Sequence, residues 1–320
     1  MSVLVVGSVA YDTVKTPAGT RDDALGGSAT FFSIAGSYFA SVSLVAVVGE
    51  DFLDEHVRLL ESHSVDTSGL ERSSGRSFRW SGVYSTEDIN ARETLDTQLN
   101  VFADFSPSLG ADHRTKPYLF LANIEPGLQS NVLEQMATRP ELVALDTMNF
   151  WIDGSREALT KALQSVDVVF MDEGEARSFS REVNLTAAAR NIISMGPKTV
   201  VVKRGEHGVL VFREDMVFAA PAFPLDQVVD PTGAGDSFAG GFIGYLAASR
   251  DLTDRGFRRA AILGSAMGSF AVESFSTDRL NGLTPNEIEK RFRALTALTQ
   301  FDPLAADESL PWRDGVATSV

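Results

Sequence analysis

Short, continuously apolar segments recur along the chain, and they constrain its fold more than any other feature. They occupy residues 3–7, 42–48, 118–122, 142–145, 166–171, 199–202 and 209–212. Segments of this length suit single strands and are too short for buried helices. A strand without polar alternation is buried on both faces, as in a parallel sheet that helices cover.

Helical patterns lie between several of these segments. Apolar residues recur at three- and four-residue spacing in residues 52–62, 128–137, 156–163 and 185–194. This alternation predicts an α/β fold in which a mostly parallel sheet lies between helical layers. Ligands of such sheets bind at the carboxyl ends of the strands. We expect residues 1–301 to form one such domain and residues 302–320 to form a polar, loosely ordered tail.

One stretch, residues 77–102, breaks the alternation. Large residues alternate with others from Phe78 to Tyr84, and a polar turn and a second extended segment follow. This pattern predicts a β-hairpin of half-buried strands. Together with about residues 11–20, the hairpin would form a small sheet inserted into the α/β body. Three interpretations are open: a lid over the ligand crevice, the surface of a homodimer, and a structural flap.

The segment 230–242 reads Asp-Pro-Thr-Gly-Ala-Gly-Asp-Ser-Phe-Ala-Gly-Gly-Phe. Its Asp-Pro pair disfavours helix, and Gly233 and Gly235 allow a turn whose backbone an anion can approach. A helical pattern follows at once, so the turn precedes a helix N-terminus, where free N–H groups and the helix dipole attract anions. Asp236 is either a first-turn capping carboxylate or a catalytic base beside an anion site.

Composition and missing motifs exclude several classes of protein. The net charge of −15 argues against a nucleic-acid partner, because such binding depends on basic patches. No apolar run is long enough to span a bilayer, and residues 1–7 lack the basic start of a signal peptide, so we expect a cytoplasmic protein without a membrane partner. The lack of cysteine argues against disulfides and thiolate metal sites. A P-loop and a dinucleotide-binding glycine motif are also missing.

With these motifs in place, the chain resembles the ribokinase-like carbohydrate kinases, the phosphofructokinase-B (PfkB) family, over about residues 3–301. Segment 230–241 resembles the family's C-terminal signature almost letter for letter. Gly-Gly-Ser-Ala at 26–29 is similar to its N-terminal glycine pair, and Lys-Arg-Gly-Glu-His-Gly at 203–208 to its nucleotide loop. Asp-Glu-Gly-Glu at 172–175 stands where the family has Asn-x-x-Glu. The resemblance implies a three-layer ribokinase-like fold with a β-sheet lid.

The resemblance also implies an activity: transfer of the γ-phosphate of ATP, with Mg²⁺, to a hydroxyl of a small sugar-like acceptor. Asp236 would be the base, beside an anion hole formed by the backbone of Gly233, Ala234 and Gly235. The acceptor would be bound by Asp12, Gly26, Gly27, Ser28 and Glu125. The nucleotide would be bound by Asp172, Glu175, Lys203, Gly205, Gly208 and Gly264. Glu175 would hold Mg²⁺ through water, whereas a monovalent cation such as K⁺ would bind Asp230, Thr232 and the segment 268–277.

Two further observations concern the crevice. The segment 146–151 ends a strand and should face the ligand, which adds Asn149 to the acceptor residues; Trp151 is either a ligand contact or a packing residue. Asp172 adds negative charge near the triphosphate, and Lys203 would offset it unless it is merely an exposed lysine at the end of a strand.

Two departures from the family's sugar kinases make the acceptor pocket less polar. Phe31 occupies a pocket position where these kinases often carry asparagine, and Ala10 replaces a polar residue. Phenylalanine cannot hydrogen-bond a hydroxyl, whereas an aromatic wall suits a nucleoside base or a cyclitol face. A nucleoside or inositol kinase is therefore the alternative to a sugar kinase. A catalytically silent regulator that binds sugar or nucleotide is an alternative of another class.

Overall fold

The computed structural model describes residues 1–305, 307–308 and 310–311, so the predicted tail, 302–320, lies largely outside the described residues. The strands are β1 (Ser2–Val6), β2 (Ala10–Thr16), β3 (Gly19–Gly26), β4 (Ser41–Gly49), β5 (Asp66–Ser73), β6 (Phe78–Tyr84), β7 (Arg92–Gln98), β8 (Tyr118–Leu121), β9 (Leu142–Asp146), β10 (Val168–Asp172), β11 (Thr199–Lys203), β12 (Val209–Arg213) and β13 (Met216–Ala220). The helices are α1 (Ser28–Ser37), α2 (Asp54–Ser62), α3 (Pro126–Glu134), α4 (Asn149–Gly154), α5 (Arg156–Leu163), α6 (Glu173–Ser180), α7 (Leu185–Ser194), α8 (Ala234–Ser249), α9 (Asp254–Ala271), α10 (Asp278–Asn281) and α11 (Pro285–Thr299).

The large sheet has the strand order β13-β12-β11-β10-β9-β8-β1-β4-β5. Its strands run parallel from β11 to β5, and β12 and β13 continue it as antiparallel strands. Successive residues of β1 face two separate hydrophobic cores: Val3 packs in one core with Phe242 of α8, and Leu4 packs in the other with Leu159 of α5. The predicted three-layer α/β fold is therefore confirmed, and each of the apolar segments forms a strand of this sheet.

The sequence patterns missed elements whose environment removes the expected periodicity. Strands β5 and β13 lie at the two edges of the large sheet, and most residues of β5 are at least partly exposed, so it lacks an apolar run. Helix α1 shows the opposite effect. Its residues 28–36 are all buried, so it has no polar face to mark its period.

A second sheet has the order β3-β2-β6-β7 and contains the predicted hairpin, β6 and β7. We call this sheet the lid. Its N-terminal part is longer than predicted, because β3 extends to Gly26. Its root is tied to the large sheet: Asp51, just after β4, accepts hydrogen bonds of 2.7 Å from both the backbone N–H and the Oγ of Ser77.

Helices α1 and α8 cross in backbone contact. A Cβ on Gly240 would lie 2.5 Å from the carbonyl oxygen of Phe32, and one on Gly244 would lie 3.0 Å from that of Gly36. Both positions therefore need glycine, because any side chain would push the helices apart. Within the described part of the chain, no helix is long and apolar enough to cross a membrane.

Candidate active site

The turn before α8 has the geometry that the sequence predicted. Gly233 is the N-cap of the helix and has a φ of 74°, and a Cβ there would overlap the ring of Phe31. Glycine is thus required both by conformation and by space. The first N–H groups of α8 lack intrahelical acceptors, and the positive end of the helix dipole lies at the same point. The N–H of Ala234 already donates to the Pro231 carbonyl at 3.3 Å, so Ala234 is the weakest of the three expected donors. We call residues 233–236 the anion turn.

Asp236 lies in the first turn of α8 and is half-buried. Burial, and then the neighbouring carboxylate of Asp146, raise its pKa to about 6, although Lys203 and Arg92 partly offset the rise. A carboxylate with a pKa just below neutrality is ionised at pH 7 and remains basic enough to take a proton from a hydroxyl. The environment therefore fits a base better than a simple cap.

Lys203 ends β11 and extends into the cleft. Its Nζ lies 2.9 and 3.1 Å from the two carboxylate oxygens of Asp146, which is buried at the end of β9. The same Nζ lies 3.1 Å from where a Cβ of Gly235 would be. Burial alone would lower the pKa of Lys203, but the charges of Asp146, Glu175 and Asp236 raise it, so the ammonium stays charged beside the anion turn. Lys203 is therefore not an exposed lysine at a strand end.

Asp172 and Glu175 form a capping box at the start of α6. The Glu175 N–H donates to Asp172 Oδ1 and the Asp172 N–H donates to Glu175 Oε2, both at 2.7 Å. Aspartate is as good an N-cap here as asparagine, the residue that the family carries at this position. Burial, and then the charge of Asp172, raises the pKa of Glu175 to about 8, whereas Lys203 lowers it. A cation nearby would favour the ionised form of Glu175. The residue therefore fits a water-mediated contact with Mg²⁺, an ion that needs few protein ligands.

The residues predicted to bind the acceptor centre on Asp12 of β2, which is 7% exposed. A Cβ on Gly26 would overlap its carboxylate, and Gly27, with a φ of 94°, lies against the Ser8 carbonyl. Burial raises the pKa of Asp12 to about 7, and a hydrogen bond from the Gly27 backbone partly offsets the rise. Ser28, at the start of α1, donates its N–H to the Ser8 hydroxyl at 3.0 Å. Residues 26–28 thus form a compact loop beside the Asp12 carboxylate. We call this segment the acceptor loop.

The structure corrects two of the predicted contacts. Phe31 is 1% exposed and its ring faces Gly233, so it supports the anion turn and does not form an aromatic wall of the pocket. Gly264 lies inside α9, where a Cβ would come within 2.9 Å of Phe238. Gly264 is therefore a packing glycine between α9 and α8, which argues against the predicted nucleotide contact.

Two other predicted acceptor residues lie at neighbouring strand ends. Glu125 caps α3 and accepts the Leu128 N–H at 2.9 Å, so its carboxylate is already engaged. Asn149 begins α4 and is exposed. Trp151 donates its indole N–H to Asn123 Oδ1 at 2.9 Å, which favours its packing role.

The predicted nucleotide loop has two glycines with positive φ, Gly205 at 53° and Gly208 at 84°. A Cβ on Gly208 would overlap the Ala220 carbonyl. On the cleft side, a Cβ on Gly205 would overlap the side chain of Asn90, which belongs to the turn between β6 and β7. The tip of the lid therefore rests on this loop, and the lid spans the cleft.

The residues assigned to a monovalent cation also come together. Asp230 is 2% exposed and accepts the Thr232 N–H at 2.9 Å and the Ser276 N–H at 3.3 Å. Its pKa is raised by burial, and these hydrogen bonds lower it in part. The carboxylate thus joins Thr232, which directly precedes the anion turn, to the segment after α9.

Sequence reasoning missed two lid residues that reach this cleft. Tyr84 is 5% exposed, and its hydroxyl accepts a hydrogen bond from Thr232 Oγ1 at 3.2 Å. Arg92 is paired with Tyr84 across β6 and β7. Period-two alternation could have placed Tyr84 on the same face as Trp80, but the length of the intervening turn left the register of Arg92 open.

The chain matches the family model described as "pfkB family carbohydrate kinase" over residues 2–281. It is 30% identical over 261 residues to a cytidine kinase of Thermococcus kodakarensis, which covers 79% of this chain and 91% of that protein. It is 28% identical over 287 residues to an inositol 3-kinase of Arabidopsis thaliana, covering 85% of this chain and 74% of that protein. Its fold resembles that of a putative ribokinase II from E. coli in complex with ATP and Mg²⁺, with a TM-score of 0.72, 19% identity, and coverage of 92% and 99% of the two chains.

Proposed function

The chain belongs to the pfkB family of carbohydrate kinases, and on that premise we propose that it transfers the γ-phosphate of ATP to a hydroxyl of a nucleoside. The observation that best supports phosphotransfer is the arrangement of groups at the anion turn. Asp236 lies beside a glycine turn at a helix N-terminus, and the ammonium of Lys203 lies against Gly235. A base, an anion site and a fixed cation thus meet in one cleft, as phosphoryl transfer requires.

Each of these groups has a distinct part in the reaction. The Asp236 carboxylate would take the proton of the acceptor hydroxyl as the hydroxyl oxygen bonds to the γ-phosphorus and the bond from that phosphorus to the departing ADP breaks. The N–H groups of Gly233 and Gly235, with the helix dipole, stabilise the negative charge on the transferring phosphoryl group. Lys203, oriented by Asp146, adds a positive charge on the nucleotide side. Mg²⁺, held by Glu175 through water, would neutralise the phosphate oxygens.

The acceptor loop and the lid support a nucleoside over a plain sugar. Asp12 is suited to accept hydrogen bonds from ribose hydroxyls. Trp80 of β6 pairs directly with Asp12 of β2, so the two side chains leave the lid on the same face. The indole is half-buried and supplies the flat apolar surface that Phe31 does not. A cyclitol would also fit against this surface, so an inositol is the second candidate acceptor, in keeping with the inositol 3-kinase relative.

Two further properties belong to this proposal. We infer that Asp230 and the Thr232 carbonyl hold a monovalent cation such as K⁺, because a cation there would relieve the burial of the Asp230 carboxylate. The free edge of β7, where residues 92–98 are all exposed, supports a homodimer through the lid as well as a cover over the acceptor. A cytoplasmic location remains a prediction from the sequence.

The decisive experiment combines an acceptor panel with one substitution. ADP release is measured with MgATP and cytidine, adenosine, ribose, fructose or myo-inositol, for the natural chain and for Asp236→Asn. We expect turnover with a nucleoside, and a loss of about 10²–10⁴-fold in kcat for Asp236→Asn with nearly unchanged acceptor binding. Binding of these ligands without turnover by the natural chain would favour the silent regulator. Normal turnover by Asp236→Asn would show that the base is wrongly assigned.

A further inference from the structure

We propose that Tyr84 is a positioning residue whose hydroxyl fastens the lid to Thr232, the residue before the anion turn. This inference rests on the proposed function and deepens it, because it says how the cover over the acceptor is held against the site of the phosphate. We call the bond between the two side chains the latch. The argument depends on the place of Tyr84 on the lid and on the partners of its hydroxyl.

Tyr84 ends β6, at the end of the strand away from the root of the lid. The root is Ser77, one residue before β6, which donates two hydrogen bonds of 2.7 Å to Asp51. Because β6 has seven residues, its far end lies about 20 Å from this root. A sheet that is tied at one end needs a second contact to hold its other end against the body.

The hydroxyl of Tyr84 makes such a contact. The residue is 5% exposed, and its hydroxyl oxygen accepts a hydrogen bond from Thr232 Oγ1 at 3.2 Å. Thr232 directly precedes Gly233, the N-cap of α8. The bond therefore joins the far end of β6 to the start of the anion turn.

The two attachments differ in strength, as a hinge and a latch would. At the root, Arg79 also pairs with Asp51 at 3.0 Å, and hydrogen bonds to charged groups are about twice as strong as neutral ones. The latch joins two neutral hydroxyls: burial raises the pKa of Tyr84 above its ordinary value, and Arg92 only partly offsets the rise. We therefore expect the root to persist while the latch opens and closes.

Arg92 holds Tyr84 from within the lid. It lies directly across from Tyr84 on β7 and is hydrogen-bonded to the same hydroxyl group. Loss of the Tyr84 hydroxyl would thus break two bonds, one inside the lid and one to the body. A change at Thr232 breaks only the second, so the test must include it.

A latch at this point would act on the acceptor side of the cleft. Trp80 and Tyr84 lie four residues apart on β6, so they share one face of the lid, and Trp80 pairs directly with Asp12 of β2. Fastening Tyr84 would hold this face over the acceptor. A lid that closes in this way excludes water and completes the site.

Packing is the structural alternative for Tyr84. If its buried ring had only a packing role, the hydroxyl would be dispensable, and phenylalanine would serve as well as tyrosine. Valine at position 232 would likewise leave acceptor binding unchanged.

The first test is a double-mutant cycle on turnover with MgATP and the nucleoside that the acceptor panel identifies. It compares the natural chain, Tyr84→Phe, Thr232→Val, the double variant and Tyr38→Phe. Tyr38 donates its hydroxyl to the Leu280 carbonyl at 2.6 Å, away from the lid, so it controls for the loss of a phenolic hydroxyl elsewhere.

We expect either single change of the latch to raise the acceptor KM by up to about tenfold, with kcat altered less than twofold. The double variant should show no further rise, because both changes remove one bond. Tyr38→Phe should keep the KM of the natural chain. Additive effects of the two changes, or a normal KM in Thr232→Val, would overturn the latch; the second result would mean that Tyr84 acts through Arg92.

The second test needs no turnover. Trp80 is half-buried on the lid, so quenching of tryptophan fluorescence by acrylamide reports lid opening in the free protein. We expect Tyr84→Phe and Thr232→Val to increase the quenching constant up to about twofold, and this increase to vanish when Trp80→Phe is added. Unchanged quenching in both variants would overturn the latch. A natural chain that phosphorylates no acceptor would refute the proposed function, while the quenching still decides the role of Tyr84.

Discussion

The anion turn and the acceptor loop each start a helix after a glycine with positive φ, yet they offer ligands opposite kinds of group. Gly233 precedes α8 and presents backbone N–H groups and a helix dipole, whereas Gly27 precedes α1 and lies beside the buried carboxylate of Asp12. The first site suits a phosphate, and the second suits hydroxyl donors. In the proposed function, the same backbone arrangement therefore serves both donor and acceptor, and the residues beside it decide which one binds.

The two sides also differ in where their residues come from. The anion turn is contiguous in sequence, and its neighbours Lys203 and Glu175 are each held by a partner, Asp146 and Asp172 respectively. The acceptor side combines Asp12 with lid residues whose positions depend on strand register. Chemistry that is common to a family can therefore be encoded by a short motif, whereas the residues that select the acceptor lie on separate strands.

After Asp236→Asn, the largest expected effect on kcat would come from placing a side chain on the anion turn. Gly233→Ala forces an unfavourable φ of 74° and a clash with Phe31, so the turn must move. We expect kcat to fall about 10²–10³-fold, as for the loss of an oxyanion donor. Gly282→Ala is the control, because a Cβ there meets no atom within 4 Å. If both variants retain the kcat of the natural chain, the turn does not hold the phosphate.

An effect of similar size, but on stability, should follow from breaking the pair of Lys203 and Asp146. Lys203→Met leaves a buried carboxylate without its partner, so unfolding by urea should show a loss of about 3–5 kcal/mol in stability. The double variant with Asp146→Asn should regain most of this stability but not the activity, because the cation beside Gly235 is still missing. Recovery of kcat in the double variant would contradict a direct role of Lys203.

The pH dependence should separate the two sides of the cleft. Asp236 acts in its ionised form, so kcat should rise with pH up to about 6 and then level off. Asp12 ionises at about pH 7, so the KM of the acceptor should continue to fall between pH 6 and pH 8. Initial rates over pH 5–9 at varied acceptor concentration test this. A kcat and a KM that change together at one pH would mean that a single group controls both sides.

Asp12 should also show a cost in stability. Its pKa rises from 3.8 in the unfolded chain to about 7 in the fold, so folding favours the neutral acid. The stability that comes from the neutral acid is present at low pH and is lost as the pH rises through about 4 to 7. The loss in the free energy of unfolding amounts to as much as about 4 kcal/mol. Asp12→Asn should therefore unfold at a higher temperature than the natural chain at pH 8, with little difference at pH 4. A variant that is less stable at pH 8 would refute this.

The sequence predicted the large sheet, the lid hairpin and the anion turn because local patterns encode them. Apolar runs mark strands that are buried on both faces, and a glycine turn before a helical pattern marks the anion turn. The edge strand β5 was not predicted because its residues face solvent, and α1 was not predicted because it is buried on all sides. A helix that is buried on all sides loses its periodic pattern, and a strand that is exposed loses its apolar run.

Residue-level errors had a different cause. Phe31 and Gly264 were assigned to ligands by their positions in motifs, but their side-chain directions depend on how α1 and α9 pack against α8. Arg92 and Tyr84 were missed because a residue becomes part of the cleft only through strand pairing that the sequence leaves open. Tertiary packing, and not local propensity, decides these positions.

The glycine crossing of α1 and α8 bears on how such an enzyme can diversify. Main-chain atoms at Gly36, Gly240 and Gly244 set the distance between the helices that start at the acceptor loop and the anion turn. Substitutions in the lid can therefore change the acceptor without lengthening the path that the phosphoryl group travels. Evolution can vary specificity at one set of positions while the reaction coordinate stays fixed by another, and the second set leaves no room for a side chain.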